Sequence, residues 1–194
     1  MTTKTNPKIS CKMLCCIFAF VLPMTLMPMK ALAQNVCSIG DTQYATIVAA
    51  IAAVPTGEAQ HTVIRLLMDI NTGGISVVNK KITFDLNGYT LNADGGAGMG
   101  LSVTSGGVVK LLDPQSGKFN VNSTNISTGT NVFAVSVADG GVAEVTDANV
   151  SGVTSPSAPV AANAVGSGSE ITLYGIPMSM LNKKRCFNLI GMKN

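Results

Sequence analysis

Apolar and polar residues alternate most cleanly in the run KITFDLNGYTL at residues 81–91, where Thr83 and Asp85 separate Ile82, Phe84 and Leu86. Successive side chains of a strand point to opposite faces, so this period of two predicts a strand with one buried face. Asn87-Gly88 follows, the dipeptide most tolerant of positive φ, and predicts a tight turn before Tyr89-Thr90-Leu91 begins another strand.

The pattern recurs. Superimposing the inward-looking pairs aligns Ile82/Phe84, Val109/Leu111, Ala143/Val145 and Ile171/Leu173, whose first members are spaced by 27, 34 and 28 residues. Small residues introduce three of the four: Ser105-Gly106-Gly107, Asp139-Gly140-Gly141 and Gly166-Ser167-Gly168-Ser169. Short β-like runs at 101–104, 118–121, 132–137 and 161–165 lie between them, and the runs 62–70 (TVIRLLMDI) and 75–78 come before. Units of short strands without helices must stack on their neighbours to bury anything. The expected fold class is therefore all-β, a right-handed parallel β-helix of about four to five short coils. A β-sandwich of antiparallel hairpins is the alternative.

One helix is expected ahead of the repeats. Ile47, Ala50, Ile51 and Val54 recur at helical spacing, Thr46 can act as N-cap, and Pro55 and Gly57 stop the helix. It would cap the first open layer of apolar side chains, with its alanine-rich face as core rather than a ligand site.

Residues 1–33 have the features of a signal peptide: Lys4, Lys8 and Lys12, an uncharged stretch over 13–29, and Ala31-Leu32-Ala33, which places cleavage before Gln34. The stretch is at the lower limit for a membrane span, and Pro23 and Pro28 within it favour the leader. The expected organisation is signal peptide 1–33, capping segment 34–61, repeats 62–175 and a non-repeat tail 176–194. The product is expected outside the cytoplasm, secreted or at the cell surface, with no membrane association once the leader is removed.

Charge then narrows the partners. The formal net charge of +3 for the whole chain comes from the leader; between 34 and 174, five lysines and arginines face ten carboxylates. Such a surface does not neutralise phosphates, which excludes a nucleic-acid partner. Cys11, Cys15 and Cys16 leave with the leader. Cys37 and Cys186 remain and could oxidise in an exported chain. Near opposite ends of a stacked fold, they are expected to lie beyond the roughly 7 Å that a disulfide spans, and so unpaired.

The series CSIGDTQYATIVAAIAAVPTGEAQHTVIRLLMDI, KKITFDLNGYTLN, GGVVKLLD and GGVAEVTD resembles the N-terminal part of bacterial exported proteins with a pectate-lyase-like right-handed β-helix, commonly large, adhesin-like surface proteins. The resemblance covers residues 37–174. It implies a surface or secreted β-helix, often without a demonstrated activity, and carries over no catalytic residue. After Tyr174-Gly175 the repeat vocabulary stops. The tail, with Met178, Met180 and Lys183-Lys184-Arg185, is expected either as a cap over the last coil or, the favoured reading, as the point where a longer protein is truncated or frame-shifted.

Polysaccharide lyases need clustered acids to hold calcium and a base to take the sugar proton. Asp113 and Asp147 each follow an inward residue, Val109 or Ala143, by four positions, which would stack them as a carboxylate pair; turn aspartates bonding their own backbone are the favoured reading. Asp85 falls one position out of that register. Arg65 is expected on a solvated strand face, Lys110 as a single surface cation, and His61 alone. No Asp-Asp, Asp-Glu or Asp-x-Asp pair offers an acid and base for hydrolysis. Phe84 and Phe133 are expected in the core, leaving Tyr89 and Tyr174 as weak sugar platforms, and the sequons at Asn122, Asn125 and Asn149 are expected by chance.

The expected function is thus a non-catalytic secreted or cell-surface structural or adhesive protein, or a fragment of one, with no catalytic, cofactor or metal residues. A lyase- or hydrolase-like carbohydrate enzyme, or its inactive remnant, is the alternative. The expected partner is a surface glycan or a host or cell-envelope component, and an uncovered last coil would permit end-to-end self-association.

Overall fold

The computed structural model describes residues 34–124, 133–151, 160–175 and 187–190, the last as backbone alone. The leader at 1–33, Asn125, Cys186 and most of the tail lie outside the described residues. Everything described lies after Ala33 and belongs to one compact unit.

A hairpin of β1 (Cys37–Ile39) and β2 (Thr42–Tyr44) leads into helix α1 (Ile47–Ala53). Strands then follow in threes. The first triplet is β3 (Thr62–Leu66), β4 (Ile70–Gly73) and β5 (Ile75–Val78), and the second is β6 (Lys81–Asp85), β7 (Thr90–Asp94) and β8 (Leu101–Thr104). Next come β9 (Val108–Leu111), β10 (Lys118–Ser123) and β11 (Phe133–Ala138), then β12 (Val142–Val145), β13 (Asp147–Val150) and β14 (Val160–Val165). The strands β15 (Glu170–Leu173) and β16 (Phe187–Ile190) complete the described set.

Each member of a triplet joins a different sheet. The orders are β15-β12-β9-β6-β3-β1-β2, β13-β10-β7-β4 and β16-β14-β11-β8-β5. Among the described residues, β1 pairs antiparallel with β2 and with β3, and all pairings among the strands from β3 onward are parallel. The fold is all-β with parallel sheets. The antiparallel hairpins that a β-sandwich would need are absent from β3 onward among the described residues, because every chain connection leads to another sheet before it returns.

The inward pairs aligned by sequence are register partners. Ile82 pairs with Val109 and Phe84 with Leu111. Val109 pairs with Ala143, and Ala143 and Val145 with Ile171 and Leu173. In the third sheet, Ile75, Leu101, Val135 and Ala162 form one inward row, and Val77, Val103, Val137 and Ala164 another. Nearly all of these side chains are fully buried, and Phe84 and Phe119 meet edge-on at 5.5 Å between the sheets.

Two sequence expectations change. The run 62–70 is not one strand, because the chain leaves the first sheet after Leu66 and enters the second at Ile70. Alternating apolar residues continue through this corner, since Leu67 and Met68 are half-buried there and the period alone does not mark the bend. Phe133, expected in the core, is only half-buried at the start of β11, where it pairs with Val160.

The first open end is capped as expected. Thr46 accepts a hydrogen bond from the Ala49 N–H at 3.1 Å, and Ile47, Ala50 and Ile51 face the core. Lys80 completes the cap from the far side. Its ammonium donates to the Ala52 carbonyl at 3.1 Å and to the Ile51 carbonyl at 2.8 Å, the latter also accepting from the Val54 N–H. Cys37, a free thiol, is fully buried at this end, and burial pushes it up to about 11.

The double glycines have separable roles. At Ser105-Gly106 and Asp139-Gly140, both residues adopt positive φ, between 54° and 74°, and the turn closes through a bond from the next glycine N–H to Thr104 or Ala138. The second glycine makes room for the preceding triplet. A Cβ on Gly107 would sit 2.9 Å from the Val77 carbonyl, and one on Gly141 2.7 Å from that of Val103.

Gly141→Ala is therefore expected to cost about 1–3 kcal/mol, the range for forcing extra atoms into packed structure, whereas Ser136→Ala on the outer face stays within about 0.5 kcal/mol; urea unfolding of the two variants measures the difference. In a Cys186→Ser background, Cys37 is expected to resist an aromatic disulfide reagent at pH 8, because a thiol raised to about 11 stays protonated there, and to react once urea unfolds the chain.

Candidate functional site

The outer face of the second sheet is where regular geometry and polar chemistry coincide. Alternation along β4, β7, β10 and β13 turns Leu91, Ala93, Phe119 and Val121 inward and sends the intervening residues outward. One outward row is Asn71, Asn92, Asn120 and Asp147, partners in register from strand to strand. Its amides bond to one another: Asn92 Nδ2 donates to Asn71 Oδ1 at 2.8 Å, and Asn120 Nδ2 to Asn92 Oδ1 at 2.9 Å. The neighbouring row is Asp94, Asn122 and Asn149. Beside the face, at the corner between the first and second sheets, an open groove of about 520 Å³ is lined by Gly88, Thr90, Gln115, Ser116, Gly117 and Lys118.

Six carboxylates are engaged with backbone. Asp85 accepts from the Asn87 N–H at 3.0 Å, Asp94 from Gly96 at 2.9 Å and Asp113 from Gln115 at 2.9 Å, each two residues on, as an Asx turn requires. Asp69 reaches the Thr90 N–H of the next triplet at 2.7 Å, and Glu144 reaches back to Leu111 N–H at 3.0 Å. Asp147 accepts from Ala148 N–H at 3.0 Å.

Asp113 and Asp147 are not register partners. Asp113 lies in the corner at 112–117, while Asp147 opens β13 beside Asn120. Their equal offsets mislead because the two corners differ in length. In the later triplet Thr146 alone turns the corner: its hydroxyl donates to Phe119 O at 2.8 Å and accepts from Phe119 N–H at 2.7 Å, so one buried side chain substitutes for a strand partner. The Asx-turn reading of Asp113 is the one the geometry shows.

Other candidates are dispersed over the first sheet. Arg65, half-exposed on its strand, meets Asp85 at 3.5 Å and donates to Asn87 Oδ1 at 2.8 Å. Asn87 Nδ2 in turn donates to Leu66 O at 3.1 Å, which ties the turn to the strand beneath it. His61 Nδ1 lies 3.1 Å from Thr83 Oγ1. Lys110 is exposed and is the register partner of Thr83. Tyr89 packs against the core, and Tyr174 remains exposed, its phenol pushed up first by desolvation and then by the Glu144 and Glu170 carboxylates. Among the described residues, no group of three His, Cys, Asp or Glu side chains is placed to hold a metal ion.

The amide row escaped the sequence reading. Its members are spaced by 21 and 28 residues, close to the repeat, and extending the register alignment from the first strand of each unit to the second would have found it. No protein-family model, curated protein or solved structure gives a significant match to the chain.

This arrangement offers fixed, mostly uncharged hydrogen-bonding groups rather than a nucleophile or an acid–base pair. Thr146→Val is expected to cost about 1–3 kcal/mol, because it leaves the Phe119 N–H buried without an acceptor, while Asp113→Asn, which keeps the turn acceptor, stays within about 0.5 kcal/mol; chemical denaturation distinguishes them.

Proposed function

We propose that the chain is a non-catalytic, exported right-handed parallel β-helix that serves as a structural or adhesive element, secreted or at the cell surface. Strands recurring in threes, each parallel to its counterpart in the next triplet, support the fold. Crossover connections between parallel strands of one sheet are right-handed in about 98% of cases, which supports the hand. The leader features at 1–33 support export.

One observation carries the non-catalytic reading. The carboxylates that a polysaccharide-cleaving enzyme would use, Asp113 and Asp147 foremost, accept backbone N–H bonds and belong to different structural positions. An acid or base in catalysis must reach the substrate proton it transfers, and a pair must share one site. Asp113 holds a corner instead, and Asp147 opens a strand. The partner that suits such an element is a surface glycan or a cell-envelope component.

Expressed with its leader in a bacterial host, the chain is expected outside the cytoplasm with Gln34 as its first residue, read by mass spectrometry. The exported chain is expected to release neither unsaturated uronate nor reducing ends from a polysaccharide panel. Turnover that disappears in Asp113→Ala or Asp147→Ala would overturn the proposal in favour of an enzyme.

A further inference from the structure

We propose that the outer face of the second sheet binds a neutral, β-linked polysaccharide, laid across the strands with successive sugar rings facing successive rungs. This deepens the reading of the chain as a surface element and rests on it.

The argument begins with the hydrogen-bonding capacity of the amide row. A carboxamide carries two N–H donors and two acceptor lone pairs. Within the row, Asn92 uses one N–H on Asn71 and one lone pair on Asn120. One donor and one acceptor therefore remain on Asn92. Asn122 and Asn149 add a parallel row, and their amides make no hydrogen bond with another described residue.

The spacing follows from the backbone. Neighbouring strands lie about 4.8 Å apart, so the amides repeat at that interval along the direction in which the triplets stack. A sugar ring in an extended β-linked chain advances the polymer by about one such interval. The row bonds also hold Asn71, Asn92 and Asn120 in place before any ligand arrives, which lowers the ordering cost of binding.

Chemistry selects the class of sugar. A hydroxyl both donates and accepts, as an amide does, so paired amides suit vicinal hydroxyls. Asp94 and Asp147 stand in the same two rows and repel a polyanion, with Lys118 the one cation of the face and groove among the described residues. A neutral glycan is therefore favoured over a polyuronate. Thr90 and Lys118 are partners two positions before Asn92 and Asn120 on the same outward side, so the groove they line with Gln115 and Ser116 continues the face and receives the ring at its edge.

The test uses the exported chain beginning at Gln34, in affinity electrophoresis and sedimentation with soluble neutral β-glucan, insoluble cellulose, bacterial cell-wall sacculi and polygalacturonate. Retention by neutral β-linked glycans and none by polygalacturonate is expected; the glucan and sacculus arms separate a foreign glycan from the bacterial envelope as its source. The double variant Asn122→Ala/Asn149→Ala, whose amides bond to no other described residue, is expected to keep its unfolding midpoint and lose about tenfold or more in affinity, the equivalent of one or two hydrogen bonds. No retention by any neutral glycan, equal retention by polygalacturonate, or unchanged affinity in the double variant would each overturn the proposal. Those failures leave the leader cleavage and absence of turnover untouched, so they are distinguishable from failure of the function reading.

Discussion

The structure depends on a backbone ladder that no triplet completes alone. Strands of one triplet find their N–H and C=O partners in the triplets before and after it, and buried backbone groups without partners are costly. The ladder also fixes the register, and a slip by one residue would turn each inward row outward. The second glycine of each pair lets adjacent triplets approach at the corner, where a Cβ on Gly107 or Gly141 would meet a carbonyl oxygen. Stacking, core and surface rows all follow from that one registration.

Much of this was legible in the sequence because inward residues in a parallel stack repeat at matched positions. Ile82, Val109, Ala143 and Ile171 were aligned from the pattern and are partners in register. The helix cap was legible through Thr46 and the spacing of Ile47, Ala50 and Ile51. The break after Leu66 was not, since half-buried Leu67 and Met68 carry the apolar pattern through the corner. The site was less legible. Polar residues on an outer face are under no burial constraint, so the asparagine row stands out only once the backbone register is known. Corner length misplaced the aspartates, for six residues turn at 112–117 where Thr146 turns alone.

Aspartate and asparagine divide the polar work. Aspartates sit where a carboxylate can accept a backbone N–H and set a turn, as Asp85, Asp94 and Asp113 do. Asparagines sit where a group must both donate and accept to link one strand to the next. A carboxylate in the middle of that row would place acceptor against acceptor, and the row would repel itself. The polar face is thus built mainly from residues that form it without accumulating charge.

The inward rows of the third sheet also diminish along the chain. Leu101 gives way to Val135 and then Ala162, and Val103 to Val137 and then Ala164. In a stack with nearest-neighbour coupling, each layer contributes according to the apolar surface that it shares with the next. Cohesion is therefore graded: strongest where Phe84 meets Phe119, weaker toward the alanines of β14. A graded stack of this kind opens by different routes along its length, by local fraying near β14 and by cooperative opening of the whole unit around the phenylalanines.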